Sequence, residues 1–313
     1  MSRLRNALLL GGVVTAGLGA LNLALERRAG TIYNAVGGES QYYLWNKGDV
    51  FYAVKGTGRP VVLVHGINAA ASSYEMRKNF EPLSQDFRVY ALDLLGFGLS
   101  DRPPLVYTAE TYVGLLGDFL GNVVREPADI VASSLSAAFA IAAAQRHPEL
   151  VRRLVLVNPT GIDVLSADPG PAQLAFLQFL RSPVFGTAVF NAVASRASIA
   201  AFLKSQTFYD DSLVTEQMVD YYYDSAHQAG AKWAPASFLS GYLNIDIRWP
   251  WTQLRQPILL AWGQHSKITP LSGSEMFLKL NPEAKLQVFE KSSLVPHDEE
   301  AEEFNQMVKK ALA

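Results

Sequence analysis

The 313-residue sequence has no cysteine, which excludes a disulfide framework, a thiolate metal site and a cysteine nucleophile. It leaves the compartment open, because reducing and oxidising environments both accommodate such a chain. An excess of one charge is also lacking. Lys+Arg 27 against Asp+Glu 29 gives a net charge of −2 with no basic cluster, so a nucleic-acid groove is set aside. No glycine-rich phosphate loop follows an apolar strand and no H-x-x-x-H pair exists, so nothing points to a nucleotide, flavin or metal cofactor. Histidine is scarce: His65, His147, His227, His265 and His297 are the five imidazoles from which proton-transfer chemistry must draw. What is present, 49% hydrophobic and 18% charged residues, is ordinary for a globular protein. The length suffices for one large α/β domain with a sizeable core.

One long uncharged run lies at the N-terminus. It extends from Asn6 to Leu25, after Arg3 and Arg5 and before Glu26-Arg27-Arg28. About twenty residues is the length that crosses a bilayer core, although Gly11, Gly12, Gly17 and Gly19 keep this run only moderately apolar. Residues 1–28 read as a membrane anchor. Two readings compete, a cleaved signal peptide and a helix packed on the protein itself, and they leave secreted or cytoplasmic placement open. Basic residues on both flanks leave the orientation undecided.

Downstream, apolar strands alternate with amphipathic helices. Tyr42–Trp45 and Val50–Val54 read as a hairpin joined by Asn46-Lys47-Gly48. Pro60–His65, Arg88–Leu92, Ile130–Ser133, Leu154–Val157, Ile258–Trp262 and Leu286–Glu290 read as buried strands. Helical spacing appears over Ala109–Val124, Ser134–Arg146, Ser272–Leu280 and Glu300–Leu312. Such alternation predicts a mostly parallel sheet covered on both faces, assembled from residues 40–161 and 251–313. Residues 162–250 interrupt the rhythm with an aromatic-rich helical stretch, including Ala188–Phe202 and Asp211–His227. An insertion at the carboxyl ends of sheet strands lies where α/β folds bind ligands. It reads as a helical cap whose aromatics mostly form the cap's own core.

The chemistry-bearing motif is Asp129-Ile-Val-Ala-Ser-Ser-Leu-Ser-Ala-Ala138, a short apolar strand running into an Ala-rich helix. Ser134 sits at the turn with Ala132 and Ser136 two residues to either side. This is a small-x-Ser-x-small nucleophile elbow, whose flanks must be small because the strand-to-helix turn is tight.

Four further segments accompany the elbow in order. They are His65-Gly66-Ile67, Asp93-Leu-Leu-Gly-Phe-Gly-Leu-Ser-Asp-Arg-Pro103, Gln256-Pro-Ile-Leu-Leu-Ala-Trp-Gly263 and Pro296-His-Asp-Glu299. With them the chain from about Tyr42 onward resembles the α/β-hydrolase superfamily. Within it, the likeness is to the cap-bearing branch of epoxide hydrolases, haloalkane dehalogenases and carbon–carbon bond hydrolases. The resemblance implies Ser134 as nucleophile and the backbone N–H groups of Ile67 and Leu135 as the oxyanion hole. Read for themselves, His65 braces the turn rather than moving protons, and Asp93 and Ser100 structure their loop through side-chain bonds to backbone N–H groups. The resemblance also implies an acid three residues after Gly263 and a base in a G-H-x-P-H segment, yet these positions hold Ser266 and Leu294. Without a base a serine hydroxyl is scarcely nucleophilic. Loss of triad members costs on the order of 10⁴–10⁶ in turnover. A rebuilt arrangement would take His265 or His297 as base and Asp163 as acid. The expectation is therefore a divergent serine hydrolase acting on an apolar ester-like molecule. Its alternative is a non-catalytic homologue that binds a hydrophobic ligand or serves as a membrane-associated subunit.

Overall fold

A computed structural model describes residues 2–313, with side chains described from residue 12 onward. Met1 lies outside the described residues, and the side chains of Arg3, Arg5 and the apolar run through Gly11 lie outside the described side chains. Eight strands form one sheet: β1 (Glu39–Trp45), β2 (Gly48–Lys55), β3 (Pro60–Val64), β4 (Arg88–Leu92), β5 (Ala128–Ser133), β6 (Val151–Val157), β7 (Ile258–Gly263) and β8 (Lys285–Phe289). Their order is β1-β2-β4-β3-β5-β6-β7-β8. β1 and β2 form the antiparallel hairpin, β2 pairs antiparallel with β4, and every other pair is parallel. The helices are α1 (Ser2–Arg28), α2 (Arg77–Leu83), α3 (Ala109–Phe119), α4 (Ser134–Arg146), α5 (Pro171–Arg181), α6 (Phe185–Val193), α7 (Arg196–Phe202), α8 (Glu216–Ala226), α9 (Trp233–Leu239), α10 (Arg248–Gln253), α11 (Ser274–Leu280), α12 (Pro296–Glu299) and α13 (Ala301–Leu312).

Successive side chains of a strand point to opposite faces, and β3 shows what that does. Val62 and Val64 enter the core shared with α3, α4, α10 and α11, while Val61 and Leu63 enter the core shared with α2 and α13. Both faces are covered, so the strand is an unbroken apolar run. α4 sits deepest, with Leu135 to Ala144 all buried. Its alanines allow close packing of α3, and Tyr112 of that helix stacks on Phe139 with ring centroids 5.2 Å apart.

The helical stretch between β6 and β7 carries α5 to α10. Two elements there differ from the sequence-based expectation. The single helix expected over Ala188–Phe202 is broken, and α6 and α7 meet at a 50° bend. The Ser195 hydroxyl accepts from the Ser198 N–H at the start of α7, the capping contact that begins a new helix. The helix expected over Asp211–His227 starts only at Glu216, where Thr215 Oγ1 accepts from the Met218 N–H. In the core, the helix expected over Ala109–Val124 is regular to Phe119 and closes with one wide π turn over Leu120–Val124.

α1 docks by its C-terminal end. Asn22 donates to the Val184 carbonyl at 3.0 Å and accepts from Asn191 at 3.0 Å, and the Gly30 N–H reaches Asp224 at 2.8 Å. Among the described residues no single helix is long and apolar enough to cross a membrane.

Candidate active site

The elbow is formed as its sequence requires. β5 is buried throughout, and the chain turns into α4 at Ser134, whose φ is 53°. A left-handed non-glycine residue stores strain of about 1–3 kcal/mol, held in place by its surroundings. Ala132 and Ser136 are both completely buried, which is why the motif demands small residues there. Ser134 itself is half-buried.

The proposed oxyanion turn lies against the elbow. A β-carbon placed on Gly66 would stand 3.4 Å from the Ser134 β-carbon and 3.3 Å from Ser133 Oγ, so only glycine fits without pressure. His65 Nε2 accepts from the Leu94 N–H at 3.1 Å, so its proton is on Nδ1, which donates to the Gly66 carbonyl at 2.6 Å. His65 therefore braces the turn. Asp93 and Ser100 brace the neighbouring loop: Asp93 accepts from the N–H groups of Ser73 and Leu99, and Ser100 links the Asp93 carbonyl to the Phe51 N–H. Ile67 is buried at the turn and Leu135 stands in the first turn of α4, where backbone N–H groups have no intrahelical acceptor.

Ser266 lies just beyond β7, with Oγ 2.9 Å from Thr269 Oγ1. Leu294 lies beyond β8 and packs into an apolar cluster with Tyr74, Ile199, Leu203, Met218 and Tyr221. Its backbone is held on both sides, the N–H by the Thr207 carbonyl at 3.0 Å and the carbonyl by Asn158 Nδ2 at 2.8 Å. His265 is exposed and stacks on Tyr209 with centroids 3.9 Å apart. Asp163 is exposed in the loop after β6. His297 is fully buried, with Nε2 3.2 Å from Glu75 Oε1 and its ring against Phe304. Among the described residues no hydrogen bond joins Ser134 Oγ to any of these side chains.

Sequence reasoning missed Glu75. It is buried, and its second carboxylate oxygen accepts from the Gly66 N–H at 3.0 Å. Burial alone would raise this carboxyl, but His297 outweighs burial and its pKa is lowered. Glu75 Oε1 and His297 Nε2 form a buried carboxylate–imidazole contact, and neither atom has another partner among the described residues. A carboxylate thus stands directly behind the oxyanion turn, balanced by an imidazole 222 residues away in sequence. Asn158, also missed, directly follows β6 in the left-handed region at φ 42° and holds the Leu294 loop. Over the turn lies the cap: Phe190 and Ala226 pack on Ala70, and Tyr222 joins this cluster to the one containing Leu294. Burial raises the Tyr222 phenol, so it stays protonated. A cavity of about 410 Å³ lies elsewhere, between α1 and the cap, lined by Asn22, Leu23, Phe190, His227 and Trp233 but not by Ser134.

Comparison with known proteins gives consistent results. The family model described as alpha/beta hydrolase fold matches residues 59–301. A 2-hydroxymuconate semialdehyde hydrolase from Pseudomonas putida is 29% identical over 274 residues, covering 83% of this chain and 89% of that protein. A solved meta-cleavage product hydrolase from Pseudomonas fluorescens IP01 superposes with a TM-score of 0.72 at 25% identity, covering 89% of this chain and 98% of that one. A bacterial membrane phospholipase A of known structure gives a TM-score of 0.71 at 21% identity, covering 100% of this chain and 98% of that one. At that identity the likeness is one of fold.

Proposed function

The chain belongs to the alpha/beta hydrolase fold family, and from that premise we propose that it is a non-catalytic member that binds an apolar ligand through a carbonyl or carboxylate held at the oxyanion turn. One observation carries this reading: the position of the base is filled by Leu294, which is built into the apolar packing between core and cap. The two remaining candidate histidines are engaged elsewhere, one on Tyr209 and one on Glu75. What is retained suits binding. The Gly66 turn lies against Ser134, and the side chains packed about the neighbouring Ala70 and the Leu294 loop, Phe190, Tyr222 and Leu294 among them, are apolar or aromatic.

A second reading, a serine hydrolase with a displaced base, is favoured by the strained φ of 53° still maintained at Ser134. Reaction with a fluorophosphonate probe separates the two, with Ser134→Ala as control and mass-spectrometric mapping of the adduct. The binding reading expects no adduct at Ser134 within hours, together with saturable uptake of decanoate by the folded protein. Rapid labelling of Ser134 would establish a working base and overturn it.

A further inference from the structure

We infer that the outer face of α5, α6 and α7, together with the open side of α1, is a docking surface for an anionic lipid bilayer. The inference extends the anchor reading of the N-terminal segment and is independent of chemistry at Ser134. On α6, Phe185, Val189 and Val193 recur at four-residue spacing and are all exposed, at 48%, 38% and 43%, while the next residue in each case, Gly186, Phe190 and Ala194, is buried about 100° around the helix. The inner stripe is the one that packs on the core, so the outer stripe is apolar surface that folding leaves unused. Phe176 and Phe179 of α5 and Phe202 of α7 extend it on the adjoining helices. α1 packs beside α6 and adds Val13, Val14 and Leu21, each more than half exposed.

Charge selects the occupant. Between Asp168 and Asp210 the chain has no acidic residue, while Arg181, Arg196 and Lys204 are basic. Arg196 is matched by Asp220 of α8. Arg181 donates to backbone carbonyls and lies over the Trp233 ring, and Lys204 is exposed; among the described residues neither forms an ion pair with a carboxylate. Aromatic and aliphatic side chains bordered by uncompensated cations match the boundary between acyl chains and anionic headgroups. A second copy of the same face would bring like charges together, which disfavours self-association there. The 50° bend between α6 and α7 suits two short helices lying in an interface.

The absence of cysteine makes the test direct, since single cysteines can be introduced in the full chain without background. Val189→Cys, Phe179→Cys and Phe202→Cys, and Leu44→Cys on β1 as control, each carry an environment-sensitive fluorophore. Each is mixed with vesicles of phosphatidylcholine alone or with 30% phosphatidylglycerol. The expected result is co-flotation with the anionic vesicles, blue-shifted emission and quenching by spin-labelled lipid at the three cap positions, and no change at position 44. Binding should be at least about fivefold weaker to the neutral vesicles. The pair Phe185→Asp and Val189→Asp should weaken anionic binding at least tenfold with an unchanged melting temperature, because both side chains are exposed. Flotation with silent cap labels would overturn the inference while leaving an α1 anchor standing. Absence of flotation would overturn both. Blue shifts that depend on protein concentration without vesicles would assign the face to a second copy instead.

Discussion

Restoring the two missing triad residues is the sharpest test of the geometry around Ser134. The perturbation is Leu294→His with Ser266→Asp. Because the Leu294 backbone is held by Thr207 and Asn158, the new imidazole must start from the position the leucine now occupies. Leu294 is half-buried, so its loss removes about 1 kcal/mol of apolar burial. Disrupting the Ser266–Thr269 hydroxyl contact costs roughly another 1 kcal/mol. A total near 2 kcal/mol is tolerable for a domain whose stability is about 5–15 kcal/mol. The gain is larger. Triad loss is worth on the order of 10⁴–10⁶ in rate, and recovery of even about 10³ corresponds to roughly 4 kcal/mol of barrier. The assay is the rate of fluorophosphonate labelling at Ser134, read alongside thermal unfolding. The double variant should label at least about a thousandfold faster than the natural protein, with Leu294→His alone in between, because an imidazole without its acid is poorly oriented. A folded double variant that labels no faster would refute the argument, showing that residue 294 does not address Ser134 or that the oxyanion turn is not competent.

Other consequences concern the charges near the site. Glu75→Ala should destabilise by about 3–5 kcal/mol in urea unfolding, since it strands a buried partner and an amide donor. Glu75→Gln keeps an acceptor for Gly66 and should cost less. The lowered pKa of Glu75 implies stability that is present above about pH 4.5 and lost as pH falls through its folded value, a dependence that Glu75→Gln should remove. Glu299 works in the opposite direction. Burial pushes its carboxyl up to about 6 against the N–H groups of Ser293, Tyr209 and Asp210. The folded state therefore holds its proton more tightly, and stability should fall as pH rises from about 4.5 to 6. The loss should be roughly 1 kcal/mol after discounting for partial exposure, and Glu299→Gln should flatten that interval. Ser134→Gly should leave stability unchanged or raise it by up to about 1 kcal/mol, because glycine relieves the left-handed strain; a Tm lowered by several degrees would show that the serine side chain is a structural support.

The sheet was legible where both of its faces are buried, because a strand there appears as an unbroken apolar run, as Pro60–Val64 does. The elbow was legible because its steric demand is local: a tight turn needs Ala132 and Ser136 to be small wherever they occur. The break between α6 and α7 carried a readable signal in Ser195, followed three residues later by Ser198, but the apolar period running through both helices obscured it. Glu75 and His297 were not legible as a pair, since nothing local distinguishes a buried glutamate from a solvated one. Only tertiary packing of α12 against the 3-10 turn Ser73–Met76, which precedes α2, brings the two side chains together. Asn158 was hidden for the same reason, as its role is a contact with a loop some 135 residues away.

The replacements at the acid and base positions are integrated in their surroundings. Ser266 hydrogen-bonds within its own loop, and Leu294 contributes to packing that joins core to cap. The elbow, by contrast, keeps a conformation that costs free energy and the oxyanion turn keeps its supports, His65 from one side and Glu75 with His297 from the other. Glu75 also bears on what the turn can hold. A carboxylate directly behind Gly66 works against a full negative charge in front of it, because like charges this close interact strongly in a buried setting. On the proposed binding reading, the carbonyl of an ester or ketone therefore suits the turn better than the carboxylate of a fatty acid.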